Sequence, residues 1–359
     1  MKILITGNLG YIGPVLIRHL RKTRHGAWIE GLDPAFFAGA LTTRGPWPES
    51  ALDVQHYADV RDCSPSLFSG VDAVVHLAAL SNDPIGKAFE ALTEEINQTA
   101  TLRVARLARD AGVKHFVFAS SCSVYGAGSD APRREQDTLA PLTAYARSKV
   151  GSEQALKTLA SSSFRVTALR FGTACGMSER LRLDLVINDF VATALAKGSI
   201  EVLSDGSPWR PLIHVEDMCR AMDWALDRRV GEDFEVMNTG SDSWNYQIRD
   251  LAKAAAAAVG GVGVSINAEA ASDKRSYRVD FSHFRELAPD HQPQWTLERT
   301  LADLKVGLEA IGFRDAAFRE GFLMRLKTLT HLREGGWLDA DLRWVGARQT
   351  SAPWRQAQV

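Results

Sequence analysis

The sequence predicts an α/β protein with a doubly wound parallel sheet and a smaller second domain. Short apolar runs alternate with helical patterns through the first half of the chain, which is typical of repeated strand–helix–strand units. A glycine-rich turn follows the first apolar run, and beyond about Met177 the alternation gives way to longer helices and loops. The chain has 359 residues, more than one typical domain, so a division into two parts fits its length.

The predicted elements follow one another in a regular order. Strands are expected in KILIT, AWIEGLD, DAVVHLAA, HFVFAS and RVTALRFG, and helices at Val15 to Lys22, about Glu94 to Ala111 and about Thr143 to Leu159. Further helices are expected in NDFVATALAKG, in EDMCRAMDWALD and in an alanine-rich stretch that ends at Gly260. We expect domains over 1–176 and 177–325, with some segments of the second returning to the first, and an extension over 326–359.

The composition argues against several classes of partner. Lys and Arg number 42 and Asp and Glu number 43, so no excess of basic charge is present to bind nucleic acid or an anionic membrane. The first residues lack the features of a signal peptide, and no apolar run approaches the ~20 residues that cross a bilayer, which favours the cytoplasm. The 4 cysteines form no CxxC pair, so neither a metal site nor a disulfide framework is predicted.

The stretch TGNLGYIG places three glycines, Gly7, Gly10 and Gly13, directly after the first predicted strand. They fit a tight turn, room for a pyrophosphate, and close packing of the next helix, which Pro14 suits as a first-turn residue. Asp33 ends the next apolar run, where a carboxylate can bind ribose hydroxyls and repel a 2′-phosphate, which favours NAD over NADP. The alternatives are a purely structural turn and an Asp33 that only caps the turn at Pro34.

The stretch YARSK places Tyr145 and Lys149 four residues apart on one helix face. A nearby ammonium and the positive nicotinamide of oxidised NAD would lower the pKa of the phenol, so that Tyr145 can remove a hydroxyl proton as hydride leaves the same carbon. Ser121 ends an apolar strand and offers a hydroxyl for the reacting oxygen. Taken alone, Tyr145 and Lys149 are more typical of a solvated helix face. The apolar strand that ends at Ser121 is what favours an active site.

These stretches carry a family resemblance. TGNLGYIG, Asp33, ADVRD, HLAA, SSCSVYG, YARSK, LRFGTACG and RPLIHVEDM together resemble the extended short-chain dehydrogenase/reductase family of NAD-dependent nucleotide-sugar epimerases and dehydratases. The match runs in order from residue 1 to about 300. It implies a Rossmann domain that binds NAD, a smaller C-terminal α/β domain that closes over a nucleotide-sugar, and a homodimer built from the helices at 94–111 and 143–159.

The resemblance also implies roles for individual residues. Tyr145 is the base, Lys149 binds the nicotinamide ribose and tunes Tyr145, and Ser121 completes the triad. The residues expected to bind the cofactor are Gly7, Gly10, Tyr11, Ile12, Gly13, Asp33, Asp59, Val60, Leu77, Ala78, Ala79, Asn97, Tyr145 and Lys149. The residues expected to bind the substrate are Ser81, Ser121, Ser123, Thr173, Asn188, Arg210 and Arg275.

The chain departs from the family pattern in three places. Thr173 and Cys175 replace an Asn and a Tyr of the segment LRxxNxYGP. An arginine that often grips the substrate diphosphate is missing, and Arg275 is the candidate to replace it. The last part of the chain, from about Leu326, has no counterpart in the family pattern, and we expect its tryptophans to pack on the body of the protein. These are Trp337, Trp344 and Trp354.

The two residues after Ser121 favour one reaction over another. A 4,6-dehydratase typically shows Asp and Glu there, whereas this chain has Cys122 and Ser123, neither of which replaces a carboxylic acid at neutral pH. We therefore expect an epimerase that transiently oxidises its sugar, at C4. Cys122 is either a packing residue, which we favour, or an acid/base at C3 or C5. Alternatives are a dehydratase, a reductase or dehydrogenase that exchanges NAD(H) with solvent, and a non-catalytic NAD-sensing regulator.

Overall fold

The computed structural model describes residues 1–127, 131–270 and 275–346. Its strands are β1 (Lys2–Thr6), β2 (Trp28–Leu32), β3 (Val54–His56), β4 (Ala73–His76), β5 (His115–Ser121), β6 (Arg165–Phe171), β7 (Thr173–Cys175), β8 (Ser199–Val202), β9 (Trp209–His214), β10 (Phe234–Thr239), β11 (Asn245–Gln247) and β12 (Gly263–Ile266). Helices lie between most of these strands in the chain.

These helices are α1 (Gly13–Thr23), α2 (Asp83–Ala88), α3 (Glu90–Glu94), α4 (Ala100–Asp110), α5 (Ala144–Lys157), α6 (Val186–Lys197), α7 (Val215–Ala225), α8 (Ile248–Val259), α9 (Ser282–Leu287), α10 (Leu297–Ala310) and α11 (Arg325–Glu334). The alanine-rich helix α8 ends at Gly260, as the sequence predicts. Within the described ranges, none of the helices has the length and apolar composition that crossing a bilayer requires.

Within the described residues, the main sheet has seven parallel strands in the order β10-β6-β5-β4-β1-β2-β3. Both of its faces are covered, which explains why β1 is apolar at consecutive positions. Leu4 packs into the core on one face, while Ile3 and Ile5 pack into the core on the other. This is the Rossmann-like, doubly wound sheet that the sequence predicts.

The strand order reverses between β1 and β4, which are neighbours in the sheet but are separated in the chain by β2 and β3. A crevice opens at such a point, outside the carboxyl ends of the strands, because the connections leave in opposite directions. Gly7 directly follows β1, and Leu77 directly follows β4, so the glycine turn and the HLAA stretch face each other there. The fold thus places two predicted cofactor segments at its main crevice.

Two smaller sheets lie beyond β6, with the orders β11-β9-β7 and β12-β8 among the described residues. Helices α6, α8 and α10 pack on one another, and α6 and α8 also pack on the β8–β12 pair. The apolar residues of these helices belong to the same core cluster as Ile3 and Ile5 of the main sheet. The two halves therefore share one continuous core, and the division at residue 176 stays a prediction.

The helix predicted over 94–111 is not uniform. It begins earlier, at Glu90, and contains a wide turn of π-helix at Glu95–Thr99 before α4 begins. The wide turn holds Asn97, whose amide receives a hydrogen bond from Leu80 N at 2.8 Å and donates to Ser148 Oγ at 3.1 Å. Such turns are rare in helices and often occur at functional sites, because they displace one side chain from the regular face.

Residues 325–345, called here the C-terminal segment, return to the main sheet. Their buried leucines belong to the core cluster that also contains Leu4 of β1. These are Leu329, Leu332, Leu338 and Leu342. Trp337 packs against this cluster, and Trp344 is 45% exposed with its Nε1 donating to the carbonyl of Pro34, whereas Trp354 lies outside the described residues.

Candidate active site

A cavity of about 690 Å³ lies at the carboxyl ends of the main-sheet strands. It contains most of the residues that the sequence predicts for the site. They are Gly7, Gly10, Tyr11, Ile12, Asp33, Asp59, Val60, Leu77, Ala78, Ala79, Ser81, Ser121, Ser123, Tyr145, Lys149, Thr173, Arg210 and Arg275. Residues that are far apart in the chain, from Gly7 to Arg275, thus line the same cavity.

The glycine turn fits the approach of a phosphate group. Gly7 has a φ of +73°, and a Cβ there would lie 2.6 Å from the backbone N of Ala78, so only glycine fits. A Cβ at Gly10 would lie 3.2 Å from Gly7 O, and no other atom of the described residues beyond its chain neighbours would lie within 4 Å. Gly10 therefore leaves free space on its cavity side. Helix α1 begins at Gly13, and its first turn presents free N–H groups.

Asp33 is buried directly after β2, and each of its two carboxylate oxygens accepts a backbone hydrogen bond. Its Oδ2 accepts a hydrogen bond from Leu9 N at 3.1 Å, and its Oδ1 accepts one from Ala35 N at 2.7 Å. Asp33 therefore caps the following turn and also lies in the cavity wall, and its binding of the ribose stays a prediction. Burial raises the pKa of Asp33 to about 6, while its backbone hydrogen bonds and the charges of Arg180 and Arg325 oppose the rise.

The predicted triad comes from β5 and α5. Thr143 caps α5 by accepting from Ala146 N, which places Tyr145 in the first turn and Lys149 one turn later. Lys149 Nζ lies 5.5 Å from the centroid of the Tyr145 ring and donates to the carbonyl of Ala119 at 2.7 Å. Ser121, at the end of β5, lines the same part of the cavity. The three side chains are thus arranged around one point.

The pKa values of the triad differ from the sequence expectation. Burial raises the pKa of Tyr145 to about 12, and a hydrogen bond with Ser121 and the charge of Arg182 oppose this rise. Burial lowers the pKa of Lys149 to about 7, against the favourable charge of Glu153. Lys149 is therefore only partly charged at neutral pH, and the permanent cation that acts on Tyr145 is Arg182.

The substrate end of the cavity is lined by charged side chains. Arg210 and Arg275 both lie in the wall, and Arg275 forms an ion pair with Asp83. Asp83 also accepts a hydrogen bond from Thr143 Oγ1 at 2.7 Å, which ties α2 to the start of α5. Two guanidinium groups in one wall are suited to an anionic group such as a diphosphate.

Four predicted residues lie outside the cavity wall. Gly13 packs so closely against Asn8 of the glycine turn that a Cβ at position 13 would lie 2.0 Å from Asn8 O. Asn97 and Asn188 are buried behind the wall, where Asn188 supports the chain by accepting from Gly176 N at 3.0 Å. In this structure both support the backbone from behind the wall, and their expected contacts with cofactor and substrate stay predictions.

Cys122 is the fourth residue outside the wall. Its thiol is buried and donates to the carbonyl of Arg170 at 3.1 Å. Burial raises the pKa of this thiol well above its ordinary value, so the thiolate form is disfavoured. The buried position therefore favours the packing role of Cys122 over the acid/base alternative.

Sequence reasoning missed two buried arginines of the wall, Arg182 and Arg325. Arg182 forms an ion pair with Asp184 at 2.9 Å and donates to Ser81 Oγ at 3.0 Å. Its signal was available, because RLRLDL places charges within an apolar alternation, which indicates buried pairs. Arg325 gave no such signal, since it lies where the family resemblance ends.

Comparisons with known proteins show the family to which the chain belongs. The model of the NAD dependent epimerase/dehydratase family matches residues 3–240. The chain is 29% identical over 308 residues to the low-salt glycan biosynthesis protein Agl12 of Haloferax volcanii, covering 83% of this chain and 95% of that protein. It is 28% identical over 329 residues to a UDP-glucose 4-epimerase of Erwinia amylovora, covering 85% and 95%.

Solved structures share the fold. MoeE5 in complex with UDP-glucose and NAD has a TM-score of 0.73 at 25% identity, covering 86% of this chain and 99% of that one. The NAD-dependent NDP-hexosamine 5,6-dehydratase TunA has a TM-score of 0.75 at 24% identity, covering 88% and 99%. The glycine turn and Asp33 fit a dinucleotide, and NAD is the cofactor. By fold and family model, this chain is an enzyme of the NAD dependent epimerase/dehydratase family.

Proposed function

We propose that this enzyme epimerises a nucleotide-sugar through transient oxidation at C4, with Ser121, Tyr145 and Lys149 as its triad. The observation that carries the proposal is the convergence of these three side chains in one cavity, together with the lack of a carboxylic acid at the two positions after Ser121. After Ser121, Cys122 is buried away from the cavity, and Ser123 presents only a hydroxyl. Dehydration between C5 and C6 needs an acid and a base that these positions do not supply.

Each triad residue has a defined task in the proposed reaction. Tyr145 removes the proton from the sugar hydroxyl at C4, and Ser121 donates to the same oxygen and holds it. Bound NAD supplies the acceptor for the hydride and later returns it. Lys149 and Arg182 favour the tyrosinate, because positive charge near a phenol stabilises its ionised form. Arg182 is held by Asp184, so its charge stays at a fixed place in the wall.

The charged end of the cavity would hold the nucleotide diphosphate. Arg210 and Arg275 are the candidate contacts, as the family pattern implies, with Arg275 kept in the wall by Asp83. Epimerisation at C4 requires the keto sugar to present both faces, so the diphosphate must anchor the substrate while the sugar turns. Two of the proteins named above, the UDP-glucose 4-epimerase of Erwinia amylovora and MoeE5, act on or bind a UDP-sugar, which makes UDP-hexoses the first substrates to test.

The proposal is tested by incubating the purified enzyme with NAD and a panel of UDP-, dTDP-, GDP- and CDP-sugars. Products are identified by mass spectrometry and NMR. Epimerisation predicts a product of unchanged mass with inversion at C4. A 4-keto-6-deoxy product with the loss of one water would establish a dehydratase instead, and release of NADH in step with product would establish a dehydrogenase. A protein that binds NAD but converts none of these sugars would favour the regulator.

A further inference from the structure

The cofactor end of the cavity has an unusual wall. The loop after β2 runs through Pro34, Phe36 and Phe37, whose side chains offer no hydrogen-bond donor to a phosphate or ribose. The C-terminal segment covers this loop, with Trp344 Nε1 donating to the carbonyl of Pro34. Arg325, the first residue of α11, lines the cavity beside these aromatic residues.

Arg325 is a buried cation that forms no close ion pair among the described residues, although the charges of Asp33 and Asp184 act on it from a distance. Its side chain is only 2% exposed, and its guanidinium lies 4.5 Å from the centroid of the Phe37 ring. Nη2 donates to the carbonyl of Arg180 at 2.9 Å, whereas Nη1 has no hydrogen-bond partner among the described residues. Burial lowers the pKa of Arg325 to about 9, so it remains positively charged at neutral pH.

The other two buried arginines nearby are paired. Arg180 forms an ion pair with Glu49, and Arg182 forms one with Asp184. Arg325 shares the burial of these residues, but within the described chain no carboxylate lies within ion-pair distance of it, and its Nη1 has no hydrogen-bond partner. An unpaired buried charge is unfavourable, and it persists in folded proteins where a ligand supplies the opposite charge. The position beside Asp33 and the glycine turn points to an anion of the dinucleotide.

We propose that Arg325 completes the NAD site by donating to a phosphate oxygen of the bound dinucleotide, and that the C-terminal segment holds it there. A guanidinium is well matched to phosphate oxygens, and a buried one binds them more strongly than an exposed one does. The inference rests on the proposed placement of NAD along the glycine turn and Asp33. It assigns a cofactor contact to a part of the chain that the matched family model does not cover.

Calorimetric titration of NAD into protein stripped of dinucleotide tests this contact. Arg325→Met should weaken NAD binding by about 10- to 100-fold, the range expected for one charged hydrogen bond. Lys327→Met is the matched control, because Lys327 is an exposed cation on the same helix and pairs only with exposed Glu320. This control should bind NAD within about twofold of the wild type, since it touches no part of the cavity.

A folded Arg325→Met variant that binds NAD as tightly as the wild type would overturn the inference. If the variant does not fold, hydrogen exchange of the wild type decides. NAD should slow amide exchange in residues 325–345, and UDP alone should not. Unchanged exchange with NAD would equally overturn the inference. Failure of the wild type to bind NAD would instead contradict the placement of the cofactor, so the two failures are distinguishable.

Discussion

At the scale of single residues, Tyr145 combines two opposing influences. Burial raises its pKa to about 12, and the Ser121 hydroxyl and the Arg182 charge act against that rise. Lys149, with a pKa lowered to about 7, provides only part of a charge at neutral pH. The site therefore favours the tyrosinate most when positive charge arrives with oxidised NAD, which couples cofactor state to base strength.

Replacing Tyr145 with Phe should reduce turnover by about 10²-fold or more, because the ring stays but the ionisable oxygen is lost. NAD affinity, measured by calorimetry, should stay within a few-fold of the wild type. Tyr57→Phe is the matched control, since Tyr57 is 69% exposed and lies outside the cavity wall. Near-normal turnover in Tyr145→Phe would refute Tyr145 as the base.

Asp33 should make the preference for NAD over NADP depend on pH. Its pKa is about 6, so the carboxylate that repels a 2′-phosphate is charged above pH 6 and protonated below it. The ratio of NADP to NAD dissociation constants should therefore fall as the pH drops from 8 to 5. The 2′-phosphate of NADP also titrates in this range, and it still does so in Asp33→Asn, whereas the side chain at position 33 no longer does. The part of the pH-dependent change in the ratio that is lost in Asp33→Asn is therefore due to Asp33. An identical pH profile in both proteins would contradict the assignment.

Cys122→Ala should keep turnover within a few-fold of the wild type, because the thiol is buried and turned toward the carbonyl of Arg170. Product formed in heavy water is the more sensitive measurement. We expect no deuterium at C3 or C5 with either protein. Deuterium incorporation that disappears in the variant would restore Cys122 as an acid/base.

At the scale of elements, the wide turn at Glu95–Thr99 shows what periodicity does not reveal. The apolar spacing predicts one helix over 94–111, and the structure does have helix before and after the turn. The extra residue in the turn lets Asn97 bind both Leu80 and Ser148, so the HLAA connection is tied to the helix that carries the triad. Sequence spacing cannot show such a turn, because these partners are distant in the chain.

Helices α4 and α5 are the expected dimer elements, and we predict a homodimer that buries them in a four-helix bundle. Light scattering at micromolar concentration should give twice the mass of one chain. Leu102 of α4 is only partly buried, and Leu102→Arg should produce monomers, because it would place a charge in the bundle.

The matched control is Val306→Arg on α10, where Val306 is 64% exposed and lies outside both bundle helices. It should leave the mass of the wild type unchanged. A monomeric wild type would contradict the dimer, and a Leu102→Arg protein that stays dimeric would contradict this interface.

At the scale of the whole molecule, the sequence predicts more of the fold than of the wall that completes the site. The strand pattern, the glycine turn and the triad follow from local spacing and from the family resemblance. The positions of Arg182 and Arg325 depend on contacts between distant parts of the chain, which spacing does not reveal. Asn188 has the residue type expected of a substrate contact, but its burial behind the wall is likewise a tertiary property.

The packing of the C-terminal segment into the core on the Leu4 face of the main sheet predicts that a change in this segment weakens the whole protein. Leu329→Ala should lower the free energy of unfolding by about 2–5 kcal/mol, because Leu329 is fully buried in the main-sheet core. Urea unfolding followed by circular dichroism and by tryptophan fluorescence should give coincident transitions. Exposed Lys327, changed to Ala, is the control and should alter stability little. Two separated transitions would show that the segment unfolds independently.

The packing of this segment against β1 also bears on how the chain is made. The ribosome releases β1 and the glycine turn early, whereas Leu329, Leu338 and Leu342 emerge only after all strands of the main sheet. Until then, the nascent protein exposes the apolar face that these leucines cover, and exposed apolar surface is a target for chaperones. If Arg325 contacts NAD as proposed, the dinucleotide site is complete only after the C-terminal segment has emerged and packed on the main sheet.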